Sequence, residues 1–154
     1  QSVPPDGKTR TVRLPTRETG MYRITVSDGG DRTSVNWKAG QLMVMPSSLD
    51  EPIVTSGRWS LYFYVPQGTK VIGVHGGDRG SIQDPTGKEQ FSFKDRKANY
   101  YSIPVPAGSD GKLWKVNQAA GPIRLLTVPP YFTRSAAELL LPREVLQADS
   151  GLDE

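Results

Sequence analysis

Four aromatic side chains and two aspartates are the residues whose types and spacing admit binding chemistry. Tyr62 and Tyr64 stand two apart in Trp59-Ser60-Leu61-Tyr62-Phe63-Tyr64-Val65, so on an extended strand they project from one side while Trp59, Leu61 and Phe63 project from the other. A sugar ring stacks its apolar C–H face on a flat aromatic ring while its hydroxyls bond to polar neighbours, and a wet tyrosine pair is therefore a platform for carbohydrate. If a second sheet or the C-terminal leucines cover that face, the same tyrosines are amphipathic core residues with their hydroxyls at the edge. Trp37, in Val35-Asn36-Trp37-Lys38, and Trp114, in Leu113-Trp114-Lys115, carry the same two readings: a ligand ring at a loop edge, or a large residue closing one end of a core. Asp28 and Asp31 flank Gly29-Gly30 and can offer oxygen ligands to a structural calcium, while ordinary turn formation accounts for the same residues without a metal.

Other chemistries are excluded by composition. The chain has no cysteine, which removes thiol nucleophiles, disulfides and Cys-containing zinc sites. Its single histidine, His75, leaves no second imidazole for multi-His metal centres and reads as a strand-end residue bonded to backbone. A Ser-His-Asp triad lacks its Gly-x-Ser-x-Gly elbow, and Gly73-Val74-His75-Gly76-Gly77-Asp78-Arg79-Gly80 lacks the Gly-Lys-Ser/Thr ending of a phosphate loop. A carboxylate-pair hydrolase ranks third behind two non-catalytic readings, because none of the 16 acids sits in a run that marks a cleft. No cofactor beyond calcium is expected. The net charge of +3 divides into +3 over residues 1–40, +1 over 41–99 and −1 over 100–154, which builds no nucleic-acid stripe and predicts binding that hardly depends on salt. No apolar run approaches the ~20 residues of a membrane span. The chain starts at Gln1, as expected of a mature product or a fragment of a longer exported protein.

The elements that must position these residues have a period of two. Residues 11–14 and 22–26 alternate as half-buried strands, residues 42–45 are apolar on both sides as in a doubly covered strand, and residues 59–65, 69–75, 81–83, 91–93, 101–105, 113–116 and 123–128 continue the series. Asp84-Pro85-Thr86-Gly87 reads as a tight turn with proline pre-setting φ, and Gly76 to Gly80 as a flexible loop. Ser135-Ala136-Ala137-Glu138 has capping-box spacing ahead of Leu139-Leu140-Leu141, which predicts a short helix that Pro142 stops and a polar tail that frays after Leu146. This pattern predicts an all-β chain: one antiparallel jelly-roll β-sandwich over 1–154, including a docked C-terminal segment over 129–148, with one short C-terminal helix. The expected core holds Tyr22, Ile24, Leu61, Phe63, Ile72, Val74, Phe93, Ile103 and Leu125.

The stretch from Trp59 to Lys70, ending in Val65-Pro66-Gln67-Gly68-Thr69, followed by a strand, a glycine-rich loop and Asp84-Pro85-Thr86-Gly87-Lys88, resembles accessory β-sandwich domains of secreted bacterial proteins. The likeness covers residues 59–116 and is to pre-peptidase C-terminal and galactose-binding-like jelly rolls. Residues 128–145 are similar to the C-terminal ends of large exported bacterial proteins related to glycosidases. The resemblance implies a secreted or cell-surface accessory module that contacts polysaccharide, or a structural sandwich that packs on an adjacent domain of the same chain. It carries over no functional residue.

Overall fold

The computed structural model describes residues 2–30, 32–53 and 55–150. The chain divides into two compact units, residues 1–37 and 38–154. Among the described residues of the first unit no strand or helix forms. The strands expected over 11–14 and 22–26 are therefore absent, and Tyr22 and Ile24, expected in the core, are 55% and 51% exposed. Alternation specifies which side of a strand is apolar; a strand forms only where a partner backbone supplies the ladder bonds. Residues 42–45 are corrected likewise: Leu42 is exposed, and only Met45 enters a strand.

All the strands lie in the second unit, and all pair antiparallel. Strand β2 (Arg58–Val65) pairs with β7 (Lys112–Ala120), which also pairs with β4 (Arg79–Gln83), and β5 (Glu89–Ser92) completes the four-stranded order β2-β7-β4-β5. A three-stranded sheet has the order β6-β3-β8, from β3 (Val71–Gly76), β6 (Asn99–Pro104) and β8 (Arg124–Leu125). The short strands β1 (Met45–Pro46) and β9 (Tyr131–Phe132) pair with each other. The fold is all-β, as the periodicity predicts.

One apolar core joins the two larger sheets. Trp59, Leu61, Phe63 and Val65 from β2 and Trp114 and Val116 from β7 meet Ile72 and Val74 from β3, Ile103 from β6 and Leu125 from β8. Seven of the nine expected core residues, all of them beyond residue 37, are buried. Phe132 seals one side, edge-on to Trp59 and Phe63 with ring centroids 5.3 and 6.0 Å away.

The glycine-rich segment after β3 carries the chain from one sheet to the other. It is no loose loop: Arg79 and Gly80 already belong to β4. A Cβ on Gly77 would lie 2.4 Å from the Ala98 nitrogen, and Gly80, at φ +95°, would put one 2.6 Å from the Ala119 Cα. Backbone passes against backbone at both points, and only glycine leaves the room. A β-bulge in β7 opposite this segment holds Gln118 at φ +52°, its N–H donating to Ser60 Oγ at 2.9 Å.

The turn between β4 and β5 forms as its sequence predicts. Gly87 N donates to the Asp84 carbonyl at 2.9 Å, and the buried Asp84 carboxylate accepts from Thr86 N and Oγ1, Lys88 N and Gln90 Nε2. The Thr86 hydroxyl is the chief cause holding the Asp84 carboxyl below its ordinary value, with Gln90 and the turn amides adding to it against the opposing effect of burial.

The C-terminal segment departs from expectation. Residues Ala136–Glu138 make only a turn of 3₁₀ helix, and Ser135 makes no side-chain cap. Glu138 is instead buried against Arg134, accepting from Nε at 2.9 Å and from Nη2 at 2.8 Å, and its carbonyl accepts from Met43 N at 2.8 Å. The three leucines are half-buried, so polar contacts hold this segment as well as apolar ones. The α-helix, α1 (Arg143–Ser150), begins after Pro142 where a stop was expected. Proline breaks a helix interior but suits its start, where the missing N–H has no partner to lose, and the Pro142 carbonyl accepts from Val145 and Leu146.

Gly80→Ala and Gly87→Ala both force alanine into left-handed backbone, but only Gly80 meets neighbouring backbone. In urea denaturation Gly87→Ala should cost about 1 kcal/mol and Gly80→Ala clearly more. Asp84→Asn should cost about 1 kcal/mol at neutral pH. Because the folded pKa is depressed, that stabilisation is present above the ordinary aspartate value of about 4 and fades as pH falls below it, so the gap between wild-type and variant midpoints should close there.

Candidate functional site

The structure places the four expected ligand-binding aromatics in different settings. Tyr62 and Tyr64 do share a side of β2, and both are half-buried. The Tyr64 hydroxyl donates to Asp149 Oδ2 of α1 at 2.5 Å, and Asp149 Oδ1 accepts from Gln67 N at 3.1 Å, so Tyr64 anchors the helix. Lys115 Nζ sits 5.9 Å from the Tyr62 ring centroid. Trp114 is fully buried, with Nε1 donating to the Ser109 carbonyl at 2.8 Å, and a ring without an open face cannot stack on a sugar. Trp37 is half-buried and belongs to the first unit.

The expected calcium pair is not a site that the structure describes. Asp28 is exposed, and Asp31 lies outside the described residues. Among the described residues no group of three or more His, Asp or Glu is placed to hold a metal.

What the fold gathers is a pair of clefts on either side of Gly77 to Gly80. The larger, about 440 Å³, runs past His75, Gly77 and Asp78 to Arg96, Lys97 and Arg124. The smaller, about 290 Å³, is lined by Arg58, Arg79, Lys94 and Glu89, with Asn117 and Gln118 of the bulge. Asp78 and Arg79 are consecutive, and Ala120, on the wall of the larger cleft, is the register partner of both Arg58 and Arg79. The two clefts are therefore adjacent.

The larger cleft lies at the end of β3, between the segment that leads into β6 and the one that joins β7 to β8. His75 lies opposite Tyr100 on β6 and Arg124 on β8. Its ring meets Tyr100 edge-on with centroids 4.9 Å apart, and Tyr100 is 63% exposed. Arg124 Nη1 stands 3.0 Å from His75 Nδ1. A guanidinium can only donate, so the contact is a hydrogen bond in the His75 tautomer whose Nδ1 accepts. His75 is thus bonded to a side chain 49 residues away, where a backbone partner was expected. Two contacts hold Arg96: Nε donates to the Ser92 carbonyl at 2.9 Å, and its guanidinium lies over the Phe91 ring, 4.9 Å from the centroid.

The sequence contains each of these residues but no local sign that they meet. A chemically legible hint was the lone histidine at the end of a strand, beside glycines that let backbone and ligand approach closely. No family model, curated protein or solved structure matches the chain. No helix among the described residues is long and apolar enough to cross a membrane.

The role of Tyr64 has a measurable consequence. Burial, then the bond and charge of Asp149, raise its phenol to about 12. The bonded phenol contributes stability below the unfolded tyrosine value of about 10, and that contribution is lost as pH rises toward 12. Tyr64→Phe should therefore cost about 1 kcal/mol in urea at neutral pH and speed proteolysis within α1, with the stability difference narrowing above pH of about 10.

Proposed function

We propose that this chain is a non-catalytic accessory module of a secreted bacterial protein and that it binds carbohydrate at the larger cleft. The observation that carries the reading is the exposed Tyr100 ring, fixed edge-on by His75 beside a cleft lined with hydrogen-bond donors. A rigid ring on a strand offers a sugar face a partner at little cost in entropy, and neighbouring donors can bond to hydroxyls. The jelly-roll likeness of residues 59–116 supports the same reading, with the ligand moved from Tyr62 and Tyr64 to Tyr100.

A second reading, a structural module that packs on an adjacent domain, is favoured by a different observation. Val12, Leu14, Met21, Tyr22, Ile24 and Val26 are each more than 40% exposed in the first unit, an apolar set that a neighbour would cover.

Affinity electrophoresis against plant, algal and bacterial polysaccharides separates the two. Retardation of the wild-type chain by at least one polysaccharide, weakened about five-fold in Tyr100→Ala with an unchanged melting curve, is the expected result. Absence of retardation by every polysaccharide would leave the packing reading.

A further inference from the structure

The two clefts concentrate charge that the composition disperses. Residues 38–154 contain 13 Lys or Arg and 12 Asp or Glu, close to neutral. The adjacent clefts nevertheless bring together six cations, Arg58, Arg79 and Lys94 in one and Arg96, Lys97 and Arg124 in the other, against two carboxylates, Glu89 and Asp78. Among the described residues the ion pairs are Arg10 with Asp6 and Arg134 with Glu138, so none of the six cations is neutralised by a carboxylate within 4.0 Å. Arg124 Nη1 stands instead against His75 Nδ1 at 3.0 Å, a contact that orients the guanidinium and brings no carboxylate to cancel its charge.

We propose, building on the carbohydrate reading above, that the ligand is an acidic polysaccharide whose carboxylate or sulfate groups lie in the two clefts, one on each side of the Gly77 to Gly80 segment. An arginine fork matches a carboxylate or sulfate with two parallel N–H···O bonds, and Arg124, with one N–H committed to His75, keeps further donors for such an anion. Two adjacent cationic clefts suit successive charges along one chain better than a single small anion. Tyr100, outside the cationic lining but beside His75, is placed for the apolar face of a sugar between or next to the charged groups.

The polyanion class is narrowed by what surrounds the clefts. Outside them, the described residues of 38–150 carry seven Lys or Arg against eight Asp or Glu, so an extended phosphate backbone reaching past this end would be ordered there without any net attraction. A short charged stretch confined to the clefts avoids that penalty. The salt-independent binding expected from composition is accordingly replaced by the opposite expectation, because exposed charge pairs are screened within about 8 Å at physiological ionic strength.

Binding of the intact chain to polygalacturonate, heparin, neutral dextran, neutral galactan and single-stranded oligothymidylate, each at 50 and 300 mM salt by calorimetry or affinity electrophoresis, tests the proposal. At least one acidic polysaccharide should bind about ten-fold or more tighter than the neutral ones and lose most of that advantage at the higher salt. Arg79→Gln, at an exposed position that removes charge without touching the core, and Arg124→Gln should each weaken it about five-fold or more, while Lys70→Gln at the opposite end of the strands should leave it unchanged. Equal affinity for acidic and neutral polysaccharides, with Tyr100→Ala weakening both, would overturn the acidic ligand and keep the carbohydrate reading. Oligothymidylate binding as tightly as the best polysaccharide, or wild-type affinity in a folded Arg79→Gln variant, would also overturn it. No binding to any polysaccharide would remove both.

Discussion

The crossing from β3 to β4 is the constraint on which the rest of the second unit depends. The chain leaves a three-stranded sheet at Gly76 and enters a four-stranded one at Arg79, with Gly77 against Ala98 and Gly80 against Ala119 at distances no side chain allows. That short passage lets two sheets close over one core containing Phe63, Ile72, Val74, Ile82 and Trp114. It also leaves a furrow on each side, because glycines fill no volume of their own. The clefts are thus a by-product of how the sheets are joined, and the residues at strand ends become their walls.

Gathering cations at those walls costs electrostatic self-repulsion, and the fold limits that cost in two ways. Arg58, Arg79, Lys94, Arg96 and Lys97 are solvent-exposed, where water screens them. Arg124, the half-buried one, has His75 Nδ1 as its near partner and not another arginine or lysine. A paired carboxylate at each position would be more stable for the free protein and would leave nothing for an anion. Where the fold does need a buried charge for its own structure it pairs it fully, as Glu138 with Arg134 and Asp84 with its ring of turn donors.

The two ends of the chain show how local pattern and tertiary context diverge. Residues 22–26 alternate as clearly as residues 61–65, yet only the latter are in a sheet. The difference is that β7 pairs with β2 from Leu61 to Val65, and the facing sheet with Ile72, Val74, Ile103 and Leu125 completes the core over the apolar side they share. At the other end Ser135 and Glu138 have the spacing of a capping box, but the glutamate finds Arg134 and is buried there, a stronger arrangement than reaching back to an exposed amide. Pro142 then begins a helix that Tyr64 anchors from a strand 85 residues away.

The sequence by itself determined the strand alternation of 59–65, 69–75, 101–105 and 113–116, the Asp84 turn, the all-β class and the buried identity of Leu61, Phe63, Ile72, Val74, Phe93, Ile103 and Leu125. These follow from periodicity and turn chemistry, which act over a few residues and are written in neighbouring letters. Only the tertiary structure decided that Tyr64 bonds to Asp149 of α1 and that Tyr100, which the alternation does not single out, is exposed beside His75. It alone decided that Trp114 is core, and that six cations drawn from residues 58 to 124 meet at one end of two sheets. Strand pairing sets those meetings, and the pairing energy depends on every strand in the sheet at once, so no short window of sequence contains it.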